Sequence, residues 1–185
     1  MRTLVIKGQT GDIRVNDGGN AVSVTQKYSY KTAGPVGSPT LADGVLTLSY
    51  TSSDSNCGVD YTVQVPTGTA VDISSGTGDV TLSQLTAAVD VQTGTGEITT
   101  NGLSSPRVQL TVGTGDIKAG LTKSPSALSA DVSTGDVSIS VPAGEYAVDA
   151  QATTGDVNVK VPREAGSANT ITVKVGTGDV TISNA

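Results

Sequence analysis

The chain has 185 residues, enough for one domain with a real core. It carries 23 Gly and five Tyr but no Trp, Phe or His, so Val, Ile and Leu must fill the interior, which suits a narrow lumen better than a wide globular centre. Seventeen acidic against eleven basic residues give a net charge of -6. The basic residues are scattered, which excludes a nucleic-acid surface, since phosphate binding needs clustered cations.

Cys57 is the only cysteine, which excludes an internal disulfide and a Cys-rich metal site and predicts a partly buried free thiol. No apolar run reaches the roughly 18 residues of a membrane span. Met1-Arg2-Thr3 leads straight into the apolar Leu4-Val5-Ile6, an abrupt start that predicts a domain taken from a longer product.

In chain order, residues 4–15 alternate apolar and polar, the period-2 pattern of a strand with one buried face. Residues 16–58 break the rhythm. Asp17-Gly18-Gly19-Asn20 is a turn cluster, and 21–31 reads as a strand with Val22, Val24, Gln26, Tyr28 and Tyr30 on one side. Residues 33–39 read as a loop, 45–51 as a strand and 52–56 as a turn. This segment predicts a wider first coil or hairpin excursion that caps the N-terminal end, as terminal repeats must cover an open core.

From residue 59 the rhythm is regular. Thr77-Gly78-Asp79 recurs as Thr95-Gly96-Glu97, Thr114-Gly115-Asp116, Thr134-Gly135-Asp136, Thr154-Gly155-Asp156 and Thr177-Gly178-Asp179, with a forerunner at Thr10-Gly11-Asp12. The carboxylates from Asp79 onward are 18, 19, 20, 20 and 23 residues apart, and Asp60 precedes Asp79 by 19. A fixed period of this size means stacked repeats. Residues eight and six before and one and three after each carboxylate are mostly apolar, so every coil has the same inside, and a slip of one residue would invert it. The expected fold is all-β: one β-solenoid domain (a parallel β-helix) over 1–185 with about 18–20 residues per coil, comprising 1–58 with its irregular cap and regular coils over 59–185.

Each residue of the phrase has its own physical role. Glycine before the carboxylate suits a corner with positive φ or crowded backbones. Parity along the strand predicts that Thr77, Thr95, Thr114, Thr134, Thr154 and Thr177 point inward. The carboxylates Asp79, Glu97, Asp116, Asp136, Asp156 and Asp179 are expected to point outward in a column at about the 4.8 Å inter-strand spacing. Such a column repels itself unless backbone N–H groups or a hard cation hold it; the first is expected, as Asp does this in turns, and Ca²⁺ is the weaker alternative.

The repeated Thr-Gly-Asp-Val/Ile corners, the Val-Pro strand ends and Cys57-Gly58-Val59-Asp60-Tyr61-Thr62-Val63 with Val65-Pro66 resemble the bacterial "putative adhesin" domain of unknown function. That domain is a β-solenoid of envelope proteins, notably in actinobacteria. The resemblance implies an extracytoplasmic surface module with an unknown surface ligand or self as partner, and a membrane link only through an anchor outside these residues. It supplies no catalytic residues.

No nucleophile–base set, cofactor site or committed metal site is read in the chain. The expectation is a non-catalytic binding or structural module. Alternatives are an end-to-end self-assembling solenoid or spacer, associating through an uncovered last coil at Ser183-Asn184-Ala185, and a polysaccharide-active enzyme using paired carboxylates. Ice binding is discounted because the outward columns form no regular Thr array and the corner Thr column is expected inside.

Overall fold

The computed structural model describes residues 1–53 and 57–185; positions 54–56 of the expected 52–56 turn lie outside the described residues. The chain order is β1 (Thr3–Lys7), β2 (Ile13–Asp17), β3 (Ser23–Ser29), β4 (Thr40–Ala42), β5 (Val45–Ser49) and β6 (Gly58–Val65). Then come β7 (Ala70–Thr77), β8 (Val80–Ser83), β9 (Val89–Thr95), β10 (Ile98–Leu103), β11 (Arg107–Thr114) and β12 (Ile117–Leu121). The last six are β13 (Ala127–Thr134), β14 (Val137–Val141), β15 (Ala147–Thr154), β16 (Val157–Val159), β17 (Thr170–Thr177) and β18 (Val180–Asn184).

These strands form two nine-stranded sheets, ordered β15-β17-β13-β11-β9-β7-β1-β5-β4 and β16-β18-β14-β12-β10-β8-β2-β6-β3. Each coil contributes one strand to each sheet; β1–β2 and the six coils from β7–β8 to β17–β18 are joined at a Thr-Gly-carboxylate corner. All pairs are parallel except β3 with β6 and β4 with β5. The fold is therefore a β-solenoid, whose parallel sheets face each other across an aliphatic lumen.

The lumen is filled in columns. In the coil of Asp116, Val108, Leu110, Ile117 and Ala119 are all buried. Two further inward columns were not read from the sequence. One lies four residues before the carboxylate, at Ser75, Thr93, Val112, Val132 and Val175; the other closes the loose side at Val65, Leu85, Leu103, Leu121, Val141 and Val161. Cys57 is buried and unpaired.

The coils do not stack in chain order. The first coil, β1–β2, lies between β5–β6 and β7–β8, and the last, β17–β18, lies between β13–β14 and β15–β16. The expected uncovered coil at Ser183-Asn184-Ala185 is thus corrected: β18 has β14 on one side and β16 on the other, and the outermost coil is β15–β16. Side-chain size gives a physical reason. The final coil carries Ile171, Val173, Val175, Val180 and Ile182, which need cover on both faces, whereas the outer coil has Ala150 and Ala152 among its inward residues and loses less by facing water. The loop from Lys160 to Asn169, which lengthens the last carboxylate spacing to 23, lets β17 turn back between its neighbours.

At the opposite end, β3 and β4, from the segment read as a cap, add antiparallel edges beyond β6 and β5. β4 and β5 meet in a two-residue hairpin at Asp43 (φ 52) and Gly44 (φ 80), the pairing of positive φ values that Asp-Gly favours. Tyr50 ties the cap to the first coil: its Oη accepts from the Thr10 N–H at 2.9 Å and donates to the Thr10 carbonyl at 3.0 Å.

Among the described residues, Tyr61 Oη and Ser75 Oγ are buried without a hydrogen-bond partner. Burial, followed by the nearby Tyr50 and Tyr28, pushes the Tyr61 phenol up to about 12. Because the folded state keeps this proton after the unfolded chain releases it near pH 10, stability is expected to fall as pH rises from 10 to 12. In a Tyr61→Phe variant, urea melts at pH 7 are expected to show unchanged or slightly greater stability, by up to about 1 kcal/mol, because a buried hydroxyl without a partner is removed. The variant should also lose part of the alkaline decline.

Candidate functional site

The corner phrase and the second sheet beside it form the most regular surface of the molecule. The glycines before the carboxylates at 12, 79, 97, 116, 136, 156 and 179 (Gly11, Gly78, Gly96, Gly115, Gly135, Gly155 and Gly178) have φ between 128° and 138°. At Gly115 (φ 133°), a Cβ would also collide with the carbonyl oxygen of Gly96 in the next coil. Glycine is required there twice over, by conformation and by the approach of neighbouring backbones.

The threonines differ from expectation. Thr77, Thr95, Thr114, Thr134, Thr154 and Thr177 are all exposed, as is Thr10. Strand parity would place them inside, but the lumen wall already closes between the column four residues before the carboxylate and the one just after it, so the corner threonine lies outside that wall. They stack in register as Thr10, Thr77, Thr95, Thr114, Thr134, Thr177 and Thr154. The case against ice binding therefore rests only on the irregular face columns.

The carboxylates form a directional ladder. Asp60 Oδ1 accepts from the Asp12 N–H at 3.0 Å, Asp12 from Asp79 at 3.1 Å, and Asp79 from Glu97 at 2.8 Å. Asp116 accepts from Asp136, Asp136 from Asp179, and Asp179 from Asp156, each at 2.8 Å. Each aspartate holds the coil above it rather than its own corner, satisfying a backbone donor while the negative charge is stabilised. Glu97, one methylene longer, turns aside to Thr99 Oγ1 at 2.5 Å and Lys118 Nζ at 2.6 Å. The Lys118 and Thr99 hydrogen bonds hold its carboxyl below the usual glutamate range, and the same contact raises the Lys118 ammonium.

Among the described residues, no three His, Cys, Asp or Glu side chains converge as a metal would need; the column spreads one carboxylate to each coil. The expected result is an unchanged melting temperature between Ca²⁺ and EDTA. An Asp136→Ala variant should lose about 1 kcal/mol by urea titration through the missing bond to Asp179, and Asp136→Asn should lose less.

Two residues beyond the ladder lies a groove of about 420 Å³ on the outer face of the second sheet. Thr99, Lys118, Ser138 and Thr181 pair across four neighbouring strands to form one wall. Asn101, Gly120, Ser140 and Ser183 line the other side. Small residues leave this space open, and the hydroxyls and amide offer donors and acceptors repeating at the strand spacing of about 4.8 Å. No local sequence pattern marks the groove.

A second feature lay unread on the first sheet. Asp72 and Asp90 face each other across β7 and β9, in a hollow of about 240 Å³ shared with Arg107. Burial, reinforced by the Asp72 charge, raises the Asp90 carboxyl.

Two parallel sheets wound as corner-linked coils, with a directional carboxylate ladder along one edge, define a β-solenoid repeat domain. The chain belongs to the Toastrack DUF4097 family, whose model matches residues 1–185. Its fold is similar to that of a "putative cell adhesion protein" from Clostridium sporogenes, at a TM-score of 0.50 and 13% identity, covering 100% of this chain and 92% of that one. It is also similar to a "putative adhesin" from Bacteroides fragilis, at a TM-score of 0.52 and 16% identity, covering 98% of this chain and 91% of that one. No curated protein sequence matches the chain.

Proposed function

We propose that this chain is a non-catalytic, extracytoplasmic binding module that holds an extended polar polymer, a cell-envelope glycan being the favoured class, along the groove on its second sheet. The observation carrying this reading is the groove of about 420 Å³, where Thr99, Ser138 and Thr181 repeat hydrogen-bonding groups along the solenoid axis. A ligand that repeats its own hydroxyls suits such a surface, because each added unit meets the same chemistry. The names of the two solved structures, a cell adhesion protein and an adhesin, support a surface role. The absence of His from the sequence and the engagement of Lys118 by Glu97 argue against proton-shuttling chemistry in the groove.

The test is co-sedimentation with insoluble cell-wall glycan and with host matrix, using the wild type and a Thr99→Arg/Ser138→Arg variant that fills the groove. Glycan retention by the wild type, at least tenfold weaker in the variant, is expected. Retention on neither material, or equal retention of both proteins, would overturn the reading. Failure on both would leave a spacer role.

A further inference from the structure

We infer that the solenoid stacks head to tail with further copies of itself, the β3–β4 cap of one molecule seating on the β15–β16 coil of the next. This goes beyond glycan binding and does not depend on it.

Among the described residues, neither end of the lumen is fully covered in the single molecule. In the seven other coils the residue just after the carboxylate is buried, as at Val80, Ile98, Ile117, Val137 and Val180. In the outermost coil its equivalent, Val157, is 39% exposed. Val148, Ala150, Ala152 and Val159 of that coil are only partly covered.

At the cap, Val24 and Tyr28 stand opposite Val63 and Val59, and Leu41 opposite Leu46. Those partners are buried in the lumen. Cross-strand partners share a face of the sheet, so the cap residues also face the lumen. Yet Tyr28 is 48% and Leu41 68% exposed, because no coil lies beyond them.

The occupant must meet two strand edges at once, one from each sheet. A single extended peptide fills one edge and leaves the other bare. A second copy presents both. β4 would meet β15 in the first sheet, and β3 would meet β16 in the second. Since β3 and β4 run against their own sheets, both new pairs would be antiparallel, repeating the pairing that already holds the cap. The shapes also match in the first sheet, where Leu41 of β4 would meet the small Ala150 and Ala152 of β15.

Charge selects head-to-tail over like-with-like contact. Among the end strands, β3 carries Lys27 and β15 carries Asp149, and β4 and β16 hold no charged residue. Cap against cap, or open coil against open coil, would bring like charges together, which disfavours both. A head-to-tail contact is heterologous and does not close on itself, so it builds an open series.

The test is sedimentation of the full chain over a wide concentration range, with Leu41→Lys and Val157→Lys variants. Both positions are exposed, so lysine is tolerated in the isolated molecule, and unchanged melting curves would verify this. Wild-type mass is expected to grow continuously with concentration. Each variant alone should remain monomeric, since every contact would need its damaged end. An equimolar mixture should give one-to-one dimers and nothing larger, because one variant keeps an intact cap and the other an intact open coil. A strictly monomeric wild type, a variant that dimerises by itself, or a mixture that stays monomeric would each overturn the inference.

Discussion

A Gly115→Ala substitution is expected to lower unfolding stability by about 3–5 kcal/mol, near the upper end for a single methyl group. Two costs coincide at this corner. The backbone holds φ at 133°, which alanine adopts only with strain, and the new Cβ would meet the Gly96 carbonyl oxygen of the adjacent coil. That carbonyl belongs to a backbone fixed by its own ladder: the Gly96 N–H donates to the Thr114 carbonyl at 3.0 Å. Relief must therefore spread along the stack. Gly68 separates the two costs. Its φ is 82°, but a Cβ there would meet nothing within 4 Å, so Gly68→Ala should lose only about 1–2 kcal/mol from conformation. Urea titrations of both variants check the contrast; equal losses would mean that the inter-coil contact contributes nothing.

Val180→Ala and Val157→Ala form the second contrast. The two residues occupy the same register position and pair directly across β16 and β18. Val180 is fully buried and Val157 is 39% exposed. Removing the Val180 methyls from a lumen covered on both sides is expected to cost about 2–3 kcal/mol, from lost burial plus the cavity left behind. The Val157 change should cost less than about 1 kcal/mol in the monomer. Stacking in chain order predicts the reverse, since Val180 would then lie at the open end. The melting temperature of the Val180 variant should fall by about 5–10 °C, given about 2–4 °C per kcal/mol for a chain of this size.

The regular part of the fold was legible in the sequence because a solenoid writes its geometry locally. Inward columns such as Val108, Leu110 and Ile117 repeat at fixed offsets from the carboxylate, and each coil needs the same residue types at the same places. Coil order was not legible, because periodicity describes the coil and not which coil it touches. Two signals bore on it: the long spacing between Asp156 and Asp179, and the alanines at 150 and 152 among larger inward residues. Asp43-Gly44, a strong hairpin signal, also marked the β4–β5 turn that the strand reading passed over.

The candidate site was legible in part. The sequence placed the carboxylates in one column, and the structure adds that all but Asp156, in the outermost coil, reach into the neighbouring coil. The threonines were misplaced because parity was carried through a corner where the pleat no longer runs. The groove between Thr99 and Thr181 depends on small side chains from four coils, one of them out of chain order, and no local pattern marks it.

The interleaved order of coils is the central claim, and a cross-link tests it most directly. Ser138 and Thr181 are Cα partners on β14 and β18, at the parallel-strand separation of about 4.8 Å that a disulfide can span. Ser138 and Asn158 are separated by the intervening β18, at about 10 Å, which is too far to bridge. In a Cys57→Ala background, Ser138→Cys/Thr181→Cys is expected to oxidise to an intramolecular disulfide, and Ser138→Cys/Asn158→Cys is not. A disulfide in the second pair and none in the first would contradict the coil order described here.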